Sequence, residues 1–344
     1  MKKIFLFLTI VILLTGCGKN NENKVLKKVK NNIDKYEKYE IKADMELISN
    51  DDSYNYDVLV DNYKDKFYKV KLNNKANSKE QIILKNTDAV YVITPSLNKS
   101  FKFQSDWPNN SSQLYLLESI YSDIEADENR KFEQDDDSYI FISKVNYPSN
   151  KSLIKQKVTI DNDYKIKTVE ILNKNDIAMM TIQFKSIKQK NLSENDFDLD
   201  NFIEEEEKTK DEKEDKKTKD DSKDEKDQTT SSLKDIIYPL YLPTNTKLTD
   251  EQTVNTNKGE RAILTFAGDK GFILVEETSN REDKFTVIPT SGDPYLFMDA
   301  IATVGNNSIS WTSNNIDYYI TSTVMEQKEM LRVAESISTI PNTK

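Results

Sequence analysis

The sequence predicts a mainly β chain of the α+β class folded as two units, and three observations carry that expectation. Tyr, Ile, Val and Phe are abundant while only 7 of 344 residues are Gly, a composition that suits strands. Apolar and polar residues alternate over long stretches, as in Ile41, Ala43, Met45 and Leu47 against Lys42, Asp44 and Glu46, which sets the two groups on opposite faces of a strand. The chain is also divided by one abrupt shift in composition. Between Glu204 and Asp227, 21 of 24 residues are charged, 13 acidic and 8 basic. With no apolar face to bury, this run reads as a solvated linker over 203–232 rather than as a lone salt-bridged helix. It is expected to hold a second unit, 233–344, at variable distance from the first, 18–202.

The segment 1–17 reads as a lipoprotein signal. Lys2 and Lys3 precede an uncharged stretch from Ile4 to Leu14, too short to cross a bilayer, which takes about 20 helical residues. Leu14-Thr15-Gly16-Cys17 resembles the bacterial lipobox, and the chain's single cysteine stands at its last position. The resemblance implies a diacylglycerol on the Cys17 thiol, with a second acyl chain making the attachment stable. The mature chain is therefore expected at the extracytoplasmic face of the cell membrane, lipid-anchored, on a tether that starts Gly18-Lys19-Asn20.

In the first unit, 23–37 carries Val25, Leu26, Val29 and Ile33 on one side of a short amphipathic helix. Strands are expected from Ile41 to Leu47 and over 54–63, 66–73, 79–86, 88–94 and 99–105, each bounded by Asn, Asp, Lys or Pro. The short loops between them imply an antiparallel meander. Asn110 with Gln113 offers a capping box for a helix over 111–124, whose stripe is Leu114, Leu117, Tyr121 and Ile124. Strands then resume at 131–134, 138–146, 152–161, 164–172 and 177–189. Together these make one large curved antiparallel sheet crossed by a helix. Its inner face either fills with side chains or encloses an apolar cavity, and the alternation is the same in both cases. Tyr and Phe in 54–68 and 99–103 suit either outcome.

Residues 81–121, from Gln81-Ile82-Ile83-Leu84 through Val92-Ile93-Thr94-Pro95 to Trp107-Pro108-Asn109-Asn110 and the helix beyond, resemble spore-former lipoproteins of the lipoprotein-sorting and germination type. Those are related to the LolA and LolB carriers and to RseB. The resemblance implies a LolA-like half-open antiparallel β-barrel with covering helices and a cavity that takes a lipid or lipoprotein acyl chain. Carriers of this kind hold their closed state with an Arg, and the first unit has one, Arg130, outside the matched segment. The alternative implied by the same relatives is a protein-binding accessory factor that holds or activates a cell-wall (cortex) enzyme in sporulation or germination.

The second unit opens on Ile236-Ile237-Tyr238-Pro239-Leu240-Tyr241-Leu242-Pro243, where two prolines impose an extended path. Strands are expected at 246–255, 260–267, 271–278, 284–288, 308–313 and 316–322, with a terminal helix over 325–338. Trp311, Tyr318 and Ala334-Glu335-Ser336-Ile337 resemble the signature of a small uncharacterised domain at the ends of spore-former surface proteins. Core packing accounts for the two aromatics.

Chemistry is bounded by what the chain lacks. With no histidine and one cysteine, Ser-His-Asp and Cys-His catalysis, His-ligated zinc and an internal disulfide are all removed. A net charge of −10 argues against nucleic acid. Asp135-Asp136-Asp137, and Asp123 with Glu125, Asp127 and Glu128, lack the spacing and glycine turn of an EF-hand. Gly268-Asp269-Lys270-Gly271 is a hairpin turn without Walker spacing. The expectation is a non-enzymatic protein with no cofactor, no metal and no catalytic residue, its ligand cavity unassigned. Its partners are expected to be the membrane, through Cys17, and an acyl chain or a cell-wall enzyme.

Overall fold

The structure, a computed structural model, describes residues 17–49, 52–64, 66–200, 203, 233, 235–257 and 259–337. Leu14, Thr15 and Gly16 of the expected lipobox and the charged run 204–232 lie outside them. Helix α1 spans Cys17–Ile33, so the backbone is helical from Cys17 onward where a tether is expected. Six strands follow: β1 (Lys38–Ser49), β2 (Asp52–Tyr63), β3 (Phe67–Asn74), β4 (Glu80–Lys85), β5 (Val90–Thr94) and β6 (Lys99–Phe103). After helix α2 (Leu117–Ala126) come β7 (Lys131–Gln134), β8 (Ser138–Lys144), β9 (Leu153–Asp161), β10 (Ile166–Asn173) and β11 (Ala178–Gln189). These agree with the strands expected from alternation to within a few residues.

The helix expected from Asn110 starts six residues later. Asn110 turns its side-chain amide to Asp293, and the Gln113 backbone N–H donates to Ser119 Oγ at 2.8 Å, so no capping box forms. Leu114 remains buried, ahead of the helix.

The first sheet runs β6-β5-β4-β3-β2-β1-β11-β10-β9-β8-β7, all antiparallel, and its two ends do not meet. One apolar cluster draws on nearly every strand, with Ile41, Val60, Val70, Ile83, Val92, Phe141, Val158, Val169 and Ile182. Val25, Leu26, Val29 and Ile33 of α1 and Leu117, Ile120, Tyr121 and Ile124 of α2 belong to the same cluster. The sheet thus wraps its own helices as a half-open barrel. Strands β4 and β5 are buried on both faces, since Leu192 and Phe197 fold back over Ile82, Leu84, Tyr91 and Ile93 on the outside. That second burial explains the unbroken apolar runs Ile82-Ile83-Leu84 and Val90-Tyr91-Val92-Ile93, which a one-sided sheet does not need.

The second sheet contains β12 (Thr246–Thr256), β13 (Gly259–Gly268), β14 (Phe272–Thr278), β16 (Asp293–Phe297), β17 (Ala300–Val304), β18 (Ser308–Ser313) and β19 (Ile316–Thr321), in the order β12-β13-β14-β19-β18-β17-β16. Helix α3 (Gln327–Glu335) covers one face with Met330, Leu331, Val333 and Ala334. Trp311 and Tyr318 stack 4.8 Å apart in this core.

Strand β15 (Thr286–Thr290), expected inside the second unit, instead leaves it and pairs in parallel with β6 as the twelfth strand of the first sheet. Strands β16 and β17 have no counterpart in the expected list. Around this crossing Lys99, 3% exposed, reaches Asp317 at 2.8 Å and Ser279 at 3.1 Å. Asn98 donates to the Glu282 carbonyl at 2.7 Å. The described part of the second unit is therefore docked on the first, not held at variable distance.

Candidate functional site

The place where an acyl cavity is expected is the concave side of the first sheet, and its own helices occupy it. Their apolar stripes supply the packing, and polar ties fix their direction. For α1, Arg130 Nε donates to Glu22 at 2.7 Å, Lys28 Nζ to the Tyr164 hydroxyl at 2.8 Å, and Asn32 to the carbonyls of Asp163 and Tyr164. For α2, Tyr39 donates to Glu118 at 2.7 Å, while the buried Gln156 amide spans the Ile120 carbonyl and Ser143 Oγ, each at 3.0 Å. Arg130 thus pins α1 over the sheet.

One mouth of the concavity is closed by the second unit. The β16–β17 hairpin puts Ile301 into the first core and packs Leu296 against it. Gln81 Oε1 accepts the Ile301 N–H at 2.6 Å, and Tyr56 donates its hydroxyl to the Met298 carbonyl. Burial holds the Tyr56 hydroxyl well above the ordinary phenol range. Beneath the hairpin, between Ile83, Tyr115, Met180 and Leu296, about 60 Å³ remains.

The other mouth is a slot of about 400 Å³ beside α1. Val29, Ile33, Leu117, Ile166 and Phe184 form its floor, with Lys35, Lys165, Lys167 and Lys185 around it. Of the aromatics expected in a cavity, Tyr56, Tyr68 and Phe103 face the filled interior, whereas Tyr63 and Phe67 pack on the outside.

Two further depressions lie away from the interior. A polar one of about 410 Å³ contains Asp123, whose carboxyl burial pushes up to about 6. A broader one, about 880 Å³, lies against β8–β10 and carries Lys131, Lys144, Lys151, Lys155 and Lys157. Alternation marks those lysines as outward-facing, but only the strand register brings them together.

The expected acidic clusters serve the backbone. Asp135 accepts the N–H groups of Asp137 and Ser138 in the β7–β8 turn, and Asp127 those of Asn129 and Lys144. Among the described residues no group of three or more acidic or Cys side chains is placed to hold a metal, and no helix is long and apolar enough to cross a membrane.

Residues 1–17 match the family described as a prokaryotic membrane lipoprotein lipid attachment site. The sporulation protein YdcC of Bacillus subtilis (strain 168) is 32% identical over 335 residues, covering 96% of this chain and 94% of that protein. Among solved structures, a LolA superfamily protein from Nitrosomonas europaea aligns at 12% identity over 52% of this chain and 98% of its own, TM-score 0.32. The MucA/MucB complex of Pseudomonas aeruginosa aligns at 11% identity over 92% of this chain and 98% of its own, TM-score 0.32.

Proposed function

The chain belongs to the family of the sporulation protein YdcC, and from that premise we propose a lipid-anchored scaffold that works in sporulation by binding another exported protein. The attachment site makes it a membrane lipoprotein. In this reading Cys17 carries the lipid, after cleavage of a signal ending at Gly16, and the folded part stands at the extracytoplasmic face.

One observation carries the choice of scaffold over carrier. The interior that would receive an acyl chain is taken by α1, α2, Leu296 and Ile301, which leave about 60 Å³ under the hairpin and the slot at the mouth beside α1. Close-packed interiors of this kind are cores, not binding sites. The partner is expected along β12, the longest strand edge without a neighbour among the described residues. Nine consecutive residues there, 247–255, are exposed. A free edge offers a partner strand its main-chain donors and acceptors. Lys247, Asp250 and Glu251 with the register shift between Leu248 and Asp250 guard it against indiscriminate pairing.

A second reading is favoured by the slot beside α1, whose apolar floor and four lysines suit a small anionic amphiphile. Native mass spectrometry of the protein extracted from sporulating membranes separates the two. The scaffold reading expects no stoichiometric amphiphile other than bilayer phospholipid, together with one defined adduct when a photocrosslinker replaces Gln252. A retained amphiphile with no adduct would reverse the order.

A further inference from the structure

The broad groove on the outside of the first sheet is built by two rows of side chains that the register sets across the strands. One row is Lys131, Ile142, Lys157 and Glu170; the other is Lys144, Lys155 and Leu172. Lys151 joins from the β8–β9 loop, and Leu153 and Ala178 complete the lining. Lys157 pairs with Glu170 at 2.9 Å and Lys155 with Asp176. The third acid, Asp127, is engaged by two backbone N–H groups. Lys131, Lys144 and Lys151 are exposed; Lys131 acts on Asp176 from a distance, secondary to Lys155. In a chain of net charge −10, this is a local excess of cations over an apolar floor. Lysine stems cover such a floor while the ammonium groups stay at its rim.

The groove adjoins the start of the chain's described part. Helix α1 begins at Cys17, and five residues on, about 8 Å at the helical rise, Glu22 takes the Arg130 guanidinium at 2.7 Å. Arg130 also donates to the Asp127 carbonyl at 3.3 Å, and Asp127 and Lys131 both line the groove. A lipid on Cys17 therefore enters the bilayer within reach of these lysines.

We infer that the groove seats the headgroup of an anionic phospholipid of the membrane that anchors the protein, so that the β7 edge lies against the bilayer. The phosphate meets Lys131, Lys144 and Lys151, and the glycerol end rests over Ile142 and Leu172. The inference rests on anchoring at Cys17, and its test avoids that premise by using an unlipidated chain.

Full-length mature protein with Cys17→Ser is cosedimented with phosphatidylcholine vesicles, with and without a phosphatidylglycerol fraction. Binding is expected only where phosphatidylglycerol is present. Each lysine contributes about fivefold at an anionic surface, so the triple variant Lys131→Gln, Lys144→Gln, Lys151→Gln should lose on the order of 100-fold. The charge-matched triple Lys270→Gln, Lys284→Gln, Lys328→Gln on the second unit should stay within about twofold. Circular dichroism melts confirm that both variants fold. Binding without phosphatidylglycerol, or equal loss from both triples, overturns the proposal. The mass of Cys17 in membrane-extracted wild-type protein reports on the anchor alone, so the two readings fail separately.

Discussion

In the first sheet Asp44, Glu40 and Asp176 stand on the rim paired with lysines, whereas in the second unit Glu276, Asp299 and Glu335 are drawn into the interior. Lys185 and then Lys75 hold the Asp44 carboxyl below the usual range, Lys190 does the same for Glu40, and Lys155 for Asp176. In the second unit burial pushes Glu276 and Glu335 up to about 7 and raises Asp299 as well. Asp123, raised to about 6 by burial, is the exception in the first. The difference follows from architecture. A sheet that wraps its helices sends its polar face outward, where lysines collect. The second unit instead buries Glu276 in its core, where its two oxygens hold the N–H of Ile237 at 3.2 and 3.0 Å. Acid should therefore loosen the first sheet, and neutral to alkaline pH the second.

That contrast matters only if the two sheets are coupled, and the largest expected effect tests the coupling. Asp317→Ala removes the carboxylate from Lys99, which is 3% exposed, and leaves a buried ammonium with Ser279 alone. Breaking one side of such a pair costs about 3 kcal/mol. Urea unfolding should show that loss, and hydrogen exchange should rise first in β15 and β6. A loss below about 1 kcal/mol would mean that β15 holds the units together without the ion pair.

Of comparable size is the effect of the hairpin that closes the interior. Ile301 is 5% exposed, and Ile301→Ala should cost about 2–4 kcal/mol, the range for truncating a large aliphatic in a core. The same substitution enlarges the remnant space under Leu296. Uptake of a fluorescent fatty acid by this variant, but not by the parent, would show that the second unit is what fills the cavity.

Much of this was legible in the sequence, and the omissions share a cause. Alternation located most strands of the first sheet, because one buried face writes a period of two, while β4 and β5 stood out as apolar runs between turn residues. Glu276 and Ile301 carry no such mark. Strands β16 and β17 are five residues each, with Pro294 in one of them; Phe297, Ala300, Ala302 and Val304 pack in the second unit's own core, while Ile301 and Leu296 are covered by the first core, far earlier in the chain. The parallel pairing of β15 with β6 is likewise non-local. Asn110 and Gln113 supplied a valid local cap, but Asp293 competed for Asn110 and won. Cys17 is legible at once because a lipobox is read from the chain itself, whereas the lysine groove needs five strands in register.

The third expected effect is the pH dependence of the second unit. Glu276 ionises near 4.5 when free and near 7 in the fold. Between those values the folded chain binds more protons than the unfolded one, so stability falls as pH rises through that window, by about 3 kcal/mol in all. Glu335 acts in the same direction. Glu276→Gln keeps an acceptor for Ile237 and removes the charge, so it should flatten the slope of the melting midpoint between pH 4.5 and 7. An unchanged slope would assign the effect to Glu335 and Asp299.

The smallest effect lies on the first sheet's rim and has the opposite sign. Asp44 is lowered in the fold, so its contribution is full above the ordinary carboxylate range and is lost as pH falls through the folded value. Lys185 approaches it at 2.7 Å and Lys75 at 2.5 Å, with side chains 53% and 38% exposed. Exposed pairs of this kind are worth less than about 1 kcal/mol and are screened by salt. Lys75→Ala with Lys185→Ala should therefore cost under 1 kcal/mol at pH 7 and low salt, and almost nothing at high salt or in acid. A cost that persists under both conditions belongs to the lysine stems, that of Lys75 just past β3 and that of Lys185 on β11. The rim would then stabilise the sheet by covering it rather than by charge, and the electrostatic half of the contrast would rest on the second unit alone.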